Sequence, residues 1–100
     1  MDIREINVLQ ADTLLGQCIM LRERANPEWC HCDHLRVEPA YQGQRLGQYL
    51  VAVGLREMQQ LGCRHALVGT EFDNARAILC YTNLGFRFTH RLATFRKQLA

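Results

Sequence analysis

One hundred residues with 48% hydrophobic content allow a single domain, residues 1–100, with a small core, and exclude a disordered chain. The net charge of +2 comes from scattered basic residues, with no basic stripe and no interleaved aromatics, which argues against nucleic acid as a partner. No apolar run reaches the roughly 18–20 residues of a membrane span, and Met1–Glu5 lacks the basic-then-apolar order of a leader, so a cytoplasmic protein without a membrane partner is expected.

In chain order, Ile3–Gln10 alternates Ile6 and Val8 with Asn7 and Leu9 and predicts a strand. Ala11-Asp12 reads as a tight turn. In Thr13–Arg22, Leu14, Leu15, Cys18 and Ile19 also fit a helical spacing. Gly16 and the β-branched Thr13 and Ile19 favour a second strand that hairpins with the first. Asn26-Pro27 marks a loop, and Trp29–Val37 a third strand, closed by Glu38-Pro39 because proline has no amide to donate. The strongest helix follows, with Leu46, Leu50, Val53, Met58 and Leu61 along one stripe and Gly62 as its C-terminal cap. Gly54 in mid-helix costs about 1 kcal/mol against alanine, which implies close packing against an unidentified neighbour. His65–Gly69 predicts a short strand. A second helix, Asn74–Leu84, is capped by Asp73 and ended by Gly85, with Ile78, Tyr81 and Leu84 on one face. Phe86–Arg91 and Ala93–Leu99 predict two further, antiparallel strands. The order β-β-β-α-β-α-β-β implies an α/β fold, a mixed sheet with helices packed on it.

The chemistry concentrates between the third strand and the strong helix. The first four amides of a helix lack internal partners, and the helix dipole adds positive potential there, so the segment Gln42, Gly43, Gln44, Arg45, Leu46 and Gly47 suits a phosphate. Gly43 and Gly47 let backbone approach a diphosphate, and Arg45 adds a cation.

Here the sequence resembles the GCN5-related N-acetyltransferase (GNAT) family. Val37, Pro39, Gln42 and Gly47 match its acetyl-CoA signature of Val-x-Pro, Gln or Arg, two residues, Gly, one residue, Gly or Ala; Arg45 stands where the family has the first glycine. If residue 45 is already helical, it needs no positive φ. A second segment, Asn74 to Phe86, is similar to the family's Asn-x-x-Ala/Ser-x-x-x-Tyr-x-x-x-Gly-Phe pattern.

The resemblance implies a GNAT-like acyl-CoA N-acyltransferase fold with acetyl-CoA as cofactor. Its pyrophosphate would lie on Gln42–Gly47. Its pantetheine would enter where the strand Trp29–Val37 splays from His65–Gly69, bonding to backbone near Leu35 and Val37 and to Asn74. Tyr81 would lie by the cofactor sulfur as general acid. It also implies that a further strand and two helices normally precede the first strand. Their absence would bare apolar surface and favour a homodimer.

The base for the acceptor amine is open among Asp33, His34, Glu38 and Glu71, with Glu71 and His34 preferred; on a regular strand Asp33 and His34 face opposite ways. On such a strand Cys30, Cys32 and His34 would share one face, spaced about 6.6 Å apart, too far for two thiolates on one zinc, so no metal site is assigned. Cys63 and Cys80 lack a nucleophile–base arrangement. All five cysteines read as thiols rather than as a disulfide framework. Three functions are thus weighed: acetyl transfer to a primary amine of a small molecule or peptide, a non-catalytic acyl-CoA-binding module, and an interaction domain without cofactor.

Overall fold

The computed structural model describes residues 1–69, 75–88 and 94–99. Its elements are β1 (Asp2–Gln10), β2 (Thr13–Arg22), β3 (Trp29–Val37), a 3-10 turn (Pro39–Tyr41), α1 (Leu46–Gln60), β4 (His65–Gly69), α2 (Ala75–Asn83), β5 (Arg87–Phe88) and β6 (Thr94–Gln98). The strands form one six-stranded sheet in the order β1-β2-β3-β4-β6-β5. Neighbours are antiparallel except β3 and β4, which run parallel because α1 returns the chain between them. Element order and strand directions agree with the sequence reading.

The hairpin wins over the helical alternative at Thr13–Arg22 because alternate residues find the core. Gly16, Cys18 and Met20 are buried, and their neighbours are not. The chain turns between the strands through Ala11, a non-glycine residue at φ 52°.

Opposed residues on paired strands share a face. Gly16, Cys18, Met20 and Arg22 oppose Val37, Leu35, Cys32 and Cys30, so these eight residues share one face, the one α1 covers. The partners run from His34 directly to Cys32, leaving Asp33 as an extra, bulged residue. That bulge reverses the alternation. Cys30 and Cys32 face α1 before it, and Leu35 and Val37 after it, whereas His34 joins Ile19 on the opposite face. The expectation that Cys30, Cys32 and His34 share a face is therefore corrected: a regular strand would put them together, and this strand is not regular.

Two glycines set how closely α1 lies on the sheet. A Cβ on Gly54 would come 2.7 Å from Cγ of Met20, and one on Gly16 would come 2.8 Å from Cδ1 of Leu50. Met20 and the Cys18 thiol are thus the neighbours that mid-helix glycine accommodates. The buried residues of α1 are Leu50, Val51, Gly54, Leu55 and Met58. Val51 and Leu55, rather than Val53 and Leu61, complete the buried stripe. Helix α1 ends at Gly62, φ 108°, where Cys63 N–H donates to the Met58 carbonyl and Gly62 N–H to that of Gln59. This is a Schellman closure, as the glycine predicts.

Candidate functional site

The ladder between β3 and β4 stops at Cys32 opposite Val68, although β3 continues to Val37. The two strands therefore part beyond Cys32. Glu38 N–H donates to the Leu15 carbonyl on the β2 side, at 2.9 Å. Peptide groups alternate along a strand, so those of Leu35 and Val37 point to the other side, into the gap beside β4. The Val37 carbonyl accepts a bond from Nε2 of Gln42, at 3.0 Å. Gln42 thus folds the loop back onto the strand end, a role that its place in the sequence pattern did not reveal.

Pro39 begins the 3-10 turn, closed by Tyr41 N–H to the Glu38 carbonyl and Gln42 N–H to that of Pro39. Gly43 then takes φ 82° and Arg45 φ 64°. Arg45 is the residue before α1, it is left-handed, and no side chain caps the helix. The first intrahelical bond is from Tyr49 N–H to the Arg45 carbonyl, so the amides of Leu46, Gly47 and Gln48 precede it. The first turn holds no acidic residue. The result is an uncapped, positively polarised helix end next to an arginine, beside the gap between β3 and β4.

One expectation changes. Residue 45 is not yet helical and does need positive φ, which costs an arginine about 1–2 kcal/mol that glycine would not incur. At Gly47 the sheet itself does not require a glycine. A Cβ there would meet Val37 Cγ2 at 3.5 Å and Leu35 Cδ2 at 3.9 Å, ordinary contacts with the sheet.

Tyr81 is close enough to Cys32, the last β3 residue of the ladder, to feel its thiol. It is 4% exposed and packs edge-on against Phe86, with ring centroids 5.7 Å apart. The backbone explains this pairing. Phe86 N–H donates to the Tyr81 carbonyl, Gly85 N–H to that of Thr82, and Gly85 takes φ 92°. This is a second Schellman closure, in which the third residue from the helix end and the second residue beyond it make a hydrophobic contact. The spacing Tyr-x-x-x-Gly-Phe is the sequence form of that geometry. It fixes the phenol from the helix end.

Burial raises the Tyr81 pKa, and the nearby thiols of Cys32, Cys80 and Cys18 add to the effect. The phenol keeps its proton through any ordinary working pH. Cys18 lies 3.9 Å from Cys32, sulfur to sulfur. The Cys18 thiol is raised by its hydrogen bond to Cys32 and by burial, so the proton stays on Cys18. The Cys32 thiol is lowered, chiefly by receiving that bond. Cys32 also ends the β3–β4 ladder, placing the most acidic thiol where the strands part.

The remaining candidates are not gathered at Tyr81. His34 lies on the far face of the sheet, Asp33 is exposed at the bulge, and Glu38 pairs with Arg36 at 2.8 Å. Glu71 and Asn74 lie outside the described residues. Among the described residues no group of three His, Cys, Asp or Glu side chains could hold a metal ion, and no helix is long and apolar enough to cross a membrane.

The profile of the Acetyltransferase (GNAT) family matches residues 5–86. The chain belongs to the GNAT acetyltransferase family. It is 40% identical over 73 residues to a mycothiol acetyltransferase of Corynebacterium efficiens, covering 67% of this chain and 25% of that protein. It thus spans about a quarter of that relative's length. Among solved structures, the PaiA N-acetyltransferase of Thermoplasma acidophilum in complex with coenzyme A superposes with a TM-score of 0.84 at 18% identity, covering 98% of this chain and 62% of that one. The ribosomal-protein-S18-alanine N-acetyltransferase of Escherichia coli gives 0.83 at 18% identity, covering 98% and 70%. At these identities the likeness establishes the GNAT fold.

Proposed function

We propose that this GNAT chain binds acetyl-CoA in the gap between β3 and β4 and transfers the acetyl group to a primary amine of a small molecule or peptide. Three features carry the reading: the edge of β3 beyond Cys32, which β4 does not pair, the uncapped amides at Leu46–Gln48, and the protonated Tyr81 near Cys32. The pyrophosphate is held in the Gln42–Gly47 segment by the amides that follow Gln42, whose own N–H closes the 3-10 turn, with the Arg45 guanidinium as counter-charge. The pantetheine arm pairs with the Leu35 and Val37 peptide groups, as a further strand would, and with Asn74. Acetyl-CoA supplies an acyl group activated as a thioester. Tyr81 holds a proton at Oη for the departing sulfur, and of the candidate bases Glu71 takes the proton of the amine, since His34 faces away from the gap. Two copies associate, and five free thiols suit a reducing cytoplasm.

Calorimetry with acetyl-CoA tests the cofactor, and free-thiol release with a panel of amines tests the transfer. Absence of binding at millimolar acetyl-CoA sinks both. Tyr81→Phe is expected to keep acetyl-CoA affinity and to lower turnover by at least tenfold; unchanged turnover removes the acid assignment. One observation favours a second reading, a non-catalytic acyl-CoA-binding module. Among the described residues the candidate bases His34, Asp33 and Glu38 are not gathered at Tyr81. Binding without turnover on any amine selects that reading.

A further inference from the structure

Cys18 on β2 and Cys32 on β3 bring their sulfurs within 3.9 Å of each other beneath α1. Cys18 opposes Leu35 and Cys32 opposes Met20, so the two are diagonal neighbours on adjacent strands and share one face. One S–H bridges the pair, and Cys32 Sγ also reaches the His34 carbonyl at 3.6 Å. The proposed acetyl transfer uses neither thiol.

The two sulfurs differ in access. Cys18 is fully buried, whereas Cys32 is partly buried and is the last β3 residue that β4 pairs. A small molecule entering between the parting strands meets Cys32 first. The pKa directions agree with this division: Cys18 keeps its proton and donates it to Cys32 as a hydrogen bond. An accessible, acidified thiol with a second thiol behind it is the arrangement of a cysteine that is oxidised and then resolved. The other thiols lack it. Cys30 and Cys63 are both buried and donate to backbone carbonyls, those of His65 at 3.5 Å and Pro27 at 3.7 Å. Burial pushes the Cys80 thiol up.

We infer that Cys18 and Cys32 are an oxidisable dithiol, which a hydroperoxide closes to a disulfide that ties β3 to β2 where β3 and β4 part. The Cys32 sulfur attacks a peroxide oxygen and the O–O bond breaks. The departing oxygen takes a proton and leaves as water or an alcohol, and Cys32 carries S–OH. The Cys18 thiol then gives up its proton as its sulfur attacks that of Cys32. The S–S bond forms, the S–O bond breaks, and the hydroxyl leaves as water. Two electrons pass from the two sulfurs to the peroxide, and a small thiol reverses the change by exchange.

The position of the pair couples closure to the gap. Diagonal neighbours in a sheet lie roughly 7–8 Å apart between Cα atoms, whereas a disulfide spans at most roughly 6.8 Å. Closure therefore draws Cys32 toward Cys18 by about 1 Å. The bulged Asp33 adjoins Cys32 and has no partner on β2, so it can take up the shift. Strands β2 and β4 flank β3 on opposite sides, so the movement carries the β3 edge away from β4. On the proposed function, this weakens the pairing of pantetheine with Leu35 and Val37.

The test treats the reduced chain with hydrogen peroxide. Its intact mass is expected to fall by two hydrogens, tandem mass spectrometry of its peptides to join Cys18 to Cys32, and dithiothreitol to reverse both. Cys18→Ala is expected to leave a sulfenic acid on Cys32 that dimedone traps, whereas the parent chain accumulates none. Acetyl-CoA is expected to bind the oxidised chain about tenfold more weakly by calorimetry, the scale of two backbone hydrogen bonds. Absence of the Cys18–Cys32 bond in the parent chain, or a bond from Cys32 to another cysteine, overturns the inference. Equal affinity of the two forms overturns the coupling to the gap. A reduced chain that does not bind acetyl-CoA fails the cofactor reading instead, and the mass measurement still decides the dithiol.

Discussion

Replacing Gly54 with alanine sets two effects of known size against each other. In an exposed helix the change stabilises by about 1 kcal/mol, because alanine loses less backbone entropy. Here the new methyl carbon would sit 2.7 Å from Met20 Cγ and 3.4 Å from its sulfur, with the Cys18 sulfur at 3.5 Å. Met20 is 1% exposed, and Cγ is near the root of its side chain, so it cannot swing clear. Overpacking of this kind costs about 1–3 kcal/mol. The clash therefore wins, and Gly54→Ala is expected to destabilise by about 1 kcal/mol net, lowering the melting temperature by about 4–8 °C. Removing the obstacle should reverse the sign. Met20→Ala costs about 2–5 kcal/mol alone. In that background Gly54→Ala should recover its helix gain of about 1 kcal/mol, for a coupling near 2 kcal/mol. Urea titration of the four proteins measures the cycle. A Gly54→Ala variant that melts higher than the parent, or a coupling within error of zero, refutes the argument that this glycine sets the distance between α1 and β2.

Arg45→Gly removes the left-handed strain of about 1–2 kcal/mol but frees the unfolded chain by up to about 1 kcal/mol, so a stability gain of about 0.5 kcal/mol is expected by urea titration. The same variant loses a cation at the phosphate site, so acetyl-CoA should bind more weakly and with a shallower dependence on salt. Cys32 should be alkylated before the other four thiols in the native protein at neutral pH, since Cys18 and Cys30 are buried, the latter with its pKa pushed up to about 12. Acetyl-CoA should slow that alkylation, as read by mass spectrometry of peptides; early labelling of Cys30 would contradict the packing. Arg22 holds the Asp2 carboxyl below its ordinary value of 3.8. The pair therefore supports the fold above that pH and is lost as pH falls through the folded value, so Asp2→Asn should flatten the acid side of the stability profile and leave its neutral-to-alkaline shape unchanged.

Much of the architecture was legible because its signals are local. Pro39 ends β3 through a missing amide, and Gly62 and Gly85 end helices through positive φ; each acts within a few residues of itself. Gly54 could be recognised as anomalous but not explained, because the explanation, Met20, is on another strand. The phase of the α1 stripe slipped for the same reason: burial of Val51 and Leu55 depends on where the helix meets the sheet. Arg45 was harder still. Arginine is a good helix former, so its composition pointed to the first turn, while the loop required one more left-handed residue before the helix could start.

The bulge at Asp33 was the least legible feature and bears most on the site. Alternation along a strand is a local rule, but a bulge is imposed by the partner strand and leaves no necessary mark in its own sequence. Regular alternation through Asp33 would turn Leu35 and Val37 away from α1 and His34 toward Tyr81's side of the sheet. With it, Leu35 and Val37 support the first turn of α1 at Gly47, fixing the height of the uncapped amides above the strand edge. The loop after β3 and the edge of β3 are thus set by one irregular residue. Deleting Asp33 removes the extra residue and leaves the pairs Met20–Cys32, Ile19–His34 and Cys18–Leu35 as they are, so Leu35 and Val37 should still face α1 and His34 should still face away. Acetyl-CoA affinity and the strand signal in circular dichroism should then be retained. A fall of more than about tenfold in affinity would show that the bulged residue itself, and not the facing of Leu35 and Val37, positions the site.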